Sequence, residues 1–341
     1  MKTITKGKNM NNFKKVGLTA LAGSLAAISA HAAEMSVSGA SVLTYTKKDG
    51  DETTGNPFGM KTNLGFNASG EVNGYTVSYM QTSADQFAGM SSARLSVDMG
   101  DMGNISFDQG SGSGLSTIDD KTPTAAEEIW DGLGGAKYIS GRVGAAGSSG
   151  VFNYINTFAN IKVNAAARKG SGSSQSDGSS SGAGQGAWDF ALTTDGANIG
   201  MPGFAVGAGY GEAEIGSAAT TAPGGEDQHA TAFANYAYGP ATFGMQISEI
   251  TRAKVAGVNE EAVRWGVAVN VNESLSVSYG ESVVTYKTPG SGDDDEDTKG
   301  IAVAYTMGSM KLAGNKNEVS KLGGTTGSED SMTEIALSFA F

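Results

Sequence analysis

The side chains that could do chemistry are concentrated in one stretch of this chain. Five carboxylates fall within thirteen residues, namely Asp119, Asp120, Glu127, Glu128 and Asp131. Carboxylates at this density create a strong local negative field, which attracts cations and repels anions. What that field acts on depends on the elements that position these residues.

Nucleophilic catalysis and a metal site of nitrogen or sulfur ligands have little support. The chain has no cysteine, and beyond residue 32 it has one histidine, His229. A serine–histidine dyad would have to use this residue, which follows a polar loop with Asp227 nearby and is better explained as a residue at the rim of the fold. One histidine is also too few for a nitrogen-ligand metal site. The sequence therefore predicts a protein that is not an enzyme.

A second acidic run, Asp293-Asp294-Asp295-Glu296-Asp297, falls in a predicted loop. Calcium prefers oxygen ligands, so Asp293, Asp294 and Asp295 are candidate calcium ligands. Acidic runs in loops are more often simply solvated. We therefore predict no cofactor and keep calcium as the alternative.

Residues 1–32 have the features of a secretory signal peptide. A basic segment is followed by a small, apolar segment that is too short to span a bilayer. Ala30-His31-Ala32 then fits the rule for cleavage, so the mature chain would begin at Ala33. Met10 is as good a starting residue as Met1, and the sequence leaves both open. We predict an exported protein.

Composition and charge exclude several classes of protein. The chain has 23 Lys and Arg against 35 Asp and Glu, and removing the five lysines of residues 1–32 leaves a net charge of −17. Such a charge argues against a nucleic-acid partner. Without cysteine there are no disulfides, so packing or backbone hydrogen bonding must stabilise the chain. Beyond the signal peptide, no stretch has the ~18 consecutive apolar residues of a membrane helix.

Short segments with period-two alternation make up most of the chain. Residues 60–68 are typical, with Met60 and Leu64 on one face and Lys61 on the other. About five such segments precede a long stretch without alternation, residues 110–150, and about eleven follow it. Seven short turns alternate with eight long polar loops, which lie near residues 47–57, 82–90, 110–150, 170–186, 211–227, 249–260, 288–298 and 315–331. Short turns on one rim and long loops on the other are typical of a transmembrane β-barrel.

One face of these segments is apolar, and the other is small, polar or charged. The polar face carries five cations, Lys61, Arg94, Lys162, Arg168 and Arg264. A packed core could not hold them, whereas a water-filled lumen can. We therefore predict an all-β fold for residues 33–341, a transmembrane antiparallel up-and-down β-barrel of sixteen strands. A soluble secreted β-protein would also alternate, but with more bulky residues on its inward face.

Residues 110–150 form the third long loop of this barrel. Thr124-Ala125-Ala126-Glu127 fits a capping box, which predicts one short helix directly after it. The apolar side chains of Ile129, Trp130 and Leu133 need to be buried. We therefore expect the loop to fold into the lumen rather than to form a flexible surface insertion.

Three stretches resemble the trimeric general porins of Gram-negative bacteria, and the resemblance covers essentially all of residues 33–341. Ala93 to Phe107 is similar to the strand–turn–strand before the constriction loop of that family. Tyr154 to Ile161 is similar to the hairpin after that loop, without its usual proline and glycine. The terminal Phe341 resembles the signal that the barrel-assembly machinery reads.

The resemblance implies a homotrimer in the outer membrane, surrounded by lipid and lipopolysaccharide, and a passive diffusion channel for small hydrophilic solutes and ions. Two wall cations and the loop carboxylates would form the pore constriction, namely Lys61, Arg94, Asp119, Asp120, Glu127, Glu128 and Asp131. The excess of acids predicts a preference for cations. The alternative is a non-conducting barrel that serves as an adhesin or as a structural protein of the envelope. The many small residues on the polar face favour an open pore.

Overall fold

The computed structural model describes residues 34–50, 53–83, 89–134, 143–147, 149–170, 185–215, 225–253, 259–287 and 293–341. Within these ranges the chain forms sixteen strands: β1 (Glu34–Gly50), β2 (Phe58–Val72), β3 (Tyr75–Ser83), β4 (Met90–Asp98), β5 (Asn104–Gln109), β6 (Ser149–Phe158), β7 (Ile161–Arg168), β8 (Ala187–Asp195), β9 (Phe204–Glu214), β10 (Glu226–Tyr238), β11 (Ala241–Thr251), β12 (Asn259–Asn270), β13 (Leu275–Lys287), β14 (Asp293–Met307), β15 (Met310–Ser320) and β16 (Glu329–Ala340). Short 3₁₀ helices are Gly100–Met102, Gly114–Ile118, Gly196–Ile199 and Leu322–Gly324. The predicted signal peptide, residues 1–32, lies outside the described residues.

The strands form one closed antiparallel barrel in which each strand pairs with its neighbours in sequence. The barrel closes where β1 pairs with β16, with Ala40 opposite Ala340 and Tyr45 opposite Ile335. Closure leaves no sheet edge, so every strand finds backbone hydrogen-bond partners within the wall. The predicted fold class and the number of strands are confirmed. None of the helices in the described ranges is long and apolar enough to cross a membrane.

The apolar side chains of the strands are exposed, and the alternate positions are polar or buried. Leu95, Trp265 and Ile301 are 49 %, 40 % and 52 % exposed, whereas Arg264, next to Trp265, is fully buried. Successive residues of a strand point to opposite faces of the sheet. The barrel therefore has an exposed apolar face and an opposite face, here called the polar face, as a barrel surrounded by lipid requires.

Tyrosines mark the end of the apolar face towards the long loops. Three of them donate their hydroxyl to a Glu or Gln two residues further along the same strand: Tyr79 to Gln81 at 2.9 Å, Tyr210 to Glu212 at 2.7 Å and Tyr279 to Glu281 at 2.6 Å. Beyond this level charged pairs replace the apolar residues, such as Lys299 with Glu318 at 3.2 Å. An amphipathic ring with a polar tip suits the boundary between lipid and water.

Several strands extend further into the long loops than the sequence predicts, and the difference is largest at β14 and β15. Residues 315–320 belong to β15, and β14 begins at Asp293, although long polar loops were expected at both places. Backbone pairing continues there, with Asp297 opposite Ser320. Beyond the apolar face both sides of a strand are polar, so the alternation fades before the hydrogen bonding ends. The tight turn at Asn73-Gly74 is confirmed, since both residues have the positive φ that a type I′ turn requires, 53° and 82°.

Phe341 is expected to be needed for assembly of the barrel. Its N–H donates to the Gly39 carbonyl at 2.9 Å, and its carbonyl accepts from the Gly39 N–H at 2.8 Å. Deleting it removes two hydrogen bonds of the closing seam, each worth about 1 kcal/mol. We expect much less heat-modifiable, folded protein in the outer membrane.

The matched control for this deletion is Phe158→Ala, which removes an exposed aromatic ring away from the closing seam. Its level should stay close to that of the wild type. Normal outer-membrane levels of the protein without Phe341 would contradict the prediction.

Candidate functional site

The loop between β5 and β6 is described at residues 110–134 and 143–147. The predicted helix after Thr124 is wrong, because residues 125–132 form bends and turns. The Thr124 hydroxyl instead accepts from the Ala126 N–H at 3.3 Å and donates to the Glu127 carbonyl at 2.7 Å. Such local bonds compete with helix formation. The capping box that does form belongs to the 3₁₀ helix Gly114–Ile118 and uses Ser113.

A buried carboxylate organises the beginning of the loop. Asp108, at the end of β5, accepts from the Ser111 N–H at 3.0 Å and from the Ser113 hydroxyl at 2.7 Å, and the Ser111 hydroxyl donates to it as well. Arg94, which is opposite Asp108 on β4, places Nη2 3.4 Å from Asp108 Oδ2 and donates to the Gly112 carbonyl. Arg94 is therefore held at the root of the loop.

Asp189 on β8 joins the two ends of the loop. One of its oxygens accepts from the Leu115 N–H at 3.0 Å, and the other accepts from the Ala146 N–H at 2.7 Å. On the neighbouring strand, Asn164 accepts from the Gly114 N–H at 3.0 Å. The wall side chains thus satisfy backbone groups of the loop that have no strand partner.

The same kind of contact continues around the barrel to β16. Gln246 accepts from the Lys121 N–H at 2.6 Å and donates to the Ile118 carbonyl at 2.7 Å. Further contacts are Asn235 to the Lys121 carbonyl at 2.8 Å, the Ala125 N–H to Ser278 at 2.9 Å, Asn317 to the carbonyls of Glu128 at 3.1 Å and Asp131 at 2.9 Å, and the Gly134 N–H to Asp330 at 2.7 Å. These wall residues all lie on the polar face, so the loop runs along that face from β5 to β16.

Apolar contacts bury parts of the loop, as its sequence predicts. Leu133 is buried in a cluster with Val319 and Met332, and Trp130 packs against it. Arg264 was expected to face water, but it is fully buried, and its guanidinium lies 4.8 Å from the centre of the Trp130 ring. The loop itself covers this arginine, and the aromatic face stabilises its charge.

The predicted site residues lie on two sides of this arrangement. Lys61 is exposed on β2, and Arg94 is half-buried on β4. The five loop carboxylates are all within the described part of the loop, and the side chain of Glu127 is the most open to solvent. Partial desolvation beside the loop raises the pKa of Glu127 above the ordinary value, and the nearby carboxylates of Asp131 and Glu128 raise it further.

One wall carboxylate near the loop acids was missed at the sequence level. Glu334 on β16 accepts from the Thr46 hydroxyl at 3.0 Å and interacts electrostatically with Asp131, Glu127 and Lys48. In the sequence it is one of many polar residues that alternate with apolar ones. Only the pairing of β1 with β16 and the path of the loop bring it beside Asp131.

Asp294 and Asp295, two of the candidate calcium ligands, lie on opposite faces of β14. Their acidic run begins β14 instead of lying in a loop, so successive side chains point to opposite faces. Asp295 accepts from the Thr285 hydroxyl at 2.7 Å on one face, whereas Glu296 is fully buried on the other and accepts from Tyr286 at 3.0 Å. Among the described residues, no three His, Asp or Glu side chains are grouped as a metal site requires.

His229 contributes to holding the loop. It lies on the polar face near the start of β10, and its Nδ1 accepts from the Gly144 N–H at 3.4 Å. Beside it, Arg252 pairs with Asp227 at 3.0 Å and with Glu260 at 2.9 Å. The histidine is thus a contact of the loop, which its position at a strand start did not reveal.

Comparison with known proteins gives the same architecture. The family described as Gram-negative porin matches residues 17–339. Three similar solved structures are OmpT of Vibrio cholerae in its trimer form (TM-score 0.64, 15 % identity, 91 % of this chain and 100 % of that chain), the anion-selective porin of Comamonas acidovorans (0.63, 12 %, 91 % and 100 %) and OmpF of Salmonella typhi in complex with daunomycin (0.65, 12 %, 92 % and 99 %). No curated protein matches the chain.

Cysteine substitutions are expected to distinguish the two faces of the wall. The chain has no cysteine of its own, so labelling has no background. In membrane-embedded protein, Lys61→Cys should react readily with a small, charged thiol reagent, and Arg94→Cys should react more slowly because this position lies at the loop root. The matched controls are Met60→Cys and Leu95→Cys on the apolar face, which should be protected. Labelling of the controls with protection of both test positions would overturn the register.

Proposed function

Because the chain belongs to the family of Gram-negative porins, we propose that it is a passive diffusion channel for small hydrophilic solutes and ions, with a preference for cations. The family match and the closed barrel support an outer-membrane channel. The choice of permeating solutes and the charge preference are the proposed part.

One observation carries the proposal, namely that the loop is attached to the polar face of a closed barrel through its own backbone. Side chains such as Asp189, Gln246 and Asn317 bind its N–H and carbonyl groups. In a barrel with its apolar face towards lipid, the polar face lines the lumen. A loop bound to that face narrows the passage, and its carboxylate side chains are left to face the passage.

The strands that precede the loop carry the predicted cations. Lys61 is exposed on β2 and Arg94 is half-buried on β4, at the part of the wall before the loop begins. Acids on one side of a narrow aqueous passage and bases on the other create a transverse field. Such a field orders water and orients dipolar solutes, which supports passage of small hydrophilic molecules.

The balance of charge supports a preference for cations. Arg94 is 3.4 Å from the buried Asp108, which offsets part of its charge. Glu334 adds a carboxylate beside Asp131. A low-dielectric constriction focuses the field of these groups, so the local excess of acids outweighs distant loop charges.

Three partners belong to this proposal. The trimer form of Vibrio cholerae OmpT supports a homotrimer. Charged pairs that continue the apolar face towards the long loops, such as Lys299 with Glu318, suit contact with lipopolysaccharide headgroups. Phe341, which completes the closing seam, suits recognition by the barrel-assembly machinery.

Single-channel recording in a planar bilayer tests the proposed function. Purified, folded protein should produce discrete conductance steps, and liposomes that contain it should admit small sugars and amino acids. A folded barrel that inserts without conductance would favour the non-conducting alternative.

The proposed selectivity predicts that, in 0.1 M salt, the zero-current potential has the sign expected of a cation-selective channel. This preference should weaken in 1 M salt, because the Debye length falls from about 10 Å to about 3 Å. The triple variant Glu127→Gln, Glu128→Gln, Asp131→Asn should lower the cation-to-anion permeability ratio at least about twofold, because it removes three charges at the constriction.

The matched control is the triple variant Asp49→Asn, Glu281→Gln, Glu318→Gln. It makes the same change in net charge on the side of the wall that carries the apolar face, beyond the level of the tyrosines, where Glu318 pairs with Lys299. Its selectivity should equal that of the wild type. Anion preference of the wild type in 0.1 M salt, or an equal effect of the two triple variants, would refute the assignment.

The raised pKa of Glu127 predicts a dependence of selectivity on pH. Burial raises this pKa, Asp131, Glu128 and Glu334 raise it further, and Lys311 opposes them. Glu127 therefore binds a proton at a higher pH than an ordinary carboxyl group, and its negative charge is lost first as the pH falls. Cation selectivity should begin to decline at a higher pH in the wild type than in Glu127→Gln. Zero-current potentials between pH 7 and pH 4 measure this, and identical profiles would contradict it.

A further inference from the structure

Four glycines lie side by side across the wall beneath the loop. Gly244 on β11 is opposite Gly266 on β12, Gly266 is opposite Gly280 on β13, and Gly280 is opposite Gly300 on β14. We call these four residues the glycine row. Each lies on the polar face, since the apolar side chains Met245, Trp265, Tyr279 and Ile301 next to them are exposed on the other face.

An asparagine flanks each end of the glycine row in the same register. Asn235 on β10 is opposite Gly244, and Asn317 on β15 is opposite Gly300. Both donate to carbonyls of the loop, Asn235 to Lys121 at 2.8 Å and Asn317 to Asp131 at 2.9 Å. The loop between these two carbonyls therefore crosses the wall along the glycine row.

The loop occupies the space that side chains at the glycine row would fill. A Cβ on Gly244 would meet both the ring of Pro123 and the side-chain oxygen of Asn235, and a Cβ on Gly266 would lie 2.9 Å from the Pro123 carbonyl oxygen. A Cβ on Gly280 would lie 3.0 Å from the Trp265 carbonyl oxygen and 3.2 Å from Ile129 Cγ2. One on Gly300 would meet the side-chain oxygen of Asn317 and lie 3.0 Å from Ile129 Cα. The loop thus rests on the backbone of four adjacent strands.

Four adjacent glycines in strand interiors are unfavourable unless something requires them. Glycine in a strand costs roughly 0.5–1 kcal/mol relative to alanine, because it loses more conformational freedom on folding. Close approach of another backbone is a common reason for glycine in a strand. Pro123 and Ile129 supply that reason here.

We propose that the glycine row is a positioning element that sets how deeply residues 121–131 lie against the wall, and through that depth sets the width of the passage and the size of solute it admits. This inference rests on the proposed diffusion channel. Asn235 and Asn317 fix the two ends of the segment, and the missing side chains let the stretch between them lie flat. The carboxylates of Glu127, Glu128 and Asp131 are carried on this segment, so their distance from the opposite wall depends on the same four residues.

The double variant Gly244→Ala, Gly266→Ala tests the proposal. The two added methyl groups should push Pro123 away from the wall and into the passage. Unitary conductance should fall about 1.5- to 2-fold, and the exclusion limit for neutral sugars in liposome swelling should shift to smaller molecules. A loss of stability alone would lower the number of channels and leave the unitary conductance unchanged.

The matched control is Gly314→Ala on β15. This glycine lies on the apolar face, and a Cβ there would have its nearest neighbour, the Glu334 carbonyl oxygen, at 3.7 Å, an ordinary contact. It adds a methyl group to a strand glycine away from the loop, so its conductance should equal that of the wild type.

A compensating change tests the named contact. A Cβ at position 244 meets ring atoms of Pro123 and the flexible side chain of Asn235, whereas one at position 266 meets the Pro123 carbonyl oxygen. Pro123→Ala should therefore restore part of the conductance in Gly244→Ala and none in Gly266→Ala. Equal rescue of both, or of neither, would overturn the assigned contact.

The outcomes separate this inference from the function on which it rests. No conductance from folded wild-type protein would refute the channel. If the wild type conducts but the folded glycine variants show unchanged or increased unitary conductance, the proposed role of the glycine row is refuted. If the double variant fails to fold by heat-modifiable mobility, Gly280→Ala replaces it, because its Cβ has milder contacts, 3.0 Å to the Trp265 carbonyl oxygen and 3.2 Å to Ile129 Cγ2. A smaller decrease in conductance is then expected, and no decrease would overturn the proposal.

Discussion

Backbone hydrogen bonding around a closed sheet is the constraint on which the rest of this structure depends. An N–H or carbonyl group left without a partner in lipid costs several kcal/mol, so a membrane-spanning sheet has to close. The closing seam between β1 and β16 meets this requirement and includes both hydrogen bonds between Gly39 and Phe341. Because the wall satisfies its own backbone, its side chains are free to alternate between an apolar and a polar face.

The same constraint applies to the long loop, which has no strand partner. Side chains on the polar face take the place of one, and Asp189, Gln246 and Asn317 each bind two backbone groups of the loop. Between these contacts the glycine row lets the loop approach the wall at backbone distance. The wall therefore determines the path of the loop mainly through the loop backbone.

Attachment through the backbone separates two tasks within one segment. The backbone of residues 121–131 carries the contacts that hold the segment in place, such as the carbonyls of Glu128 and Asp131. The side chains of the same acids carry the charge. Substitution of these carboxylates by amides of similar shape is therefore expected to alter the electrostatic field while the backbone attachment stays intact.

Sequence alone determined the features that depend on local periodicity. Period-two alternation predicted the sixteen strands, and the Asn73-Gly74 pair predicted the tight turn between β2 and β3. Both follow from neighbouring residues, because strand faces and turn conformations are local properties. The acidic segment and the burial of Leu133 were also visible in the sequence. Tertiary structure decided the rest: the turns where a helix was expected after Thr124, the extension of β15 to Ser320, the buried stacking of Arg264 on Trp130, and the meeting of four glycines from four strands. Each depends on strand register and on contacts between distant residues, such as Gln246 with Ile118, which are 128 positions apart. Local patterns carry no information about which distant backbone groups need a partner, and that need decided where the loop lies.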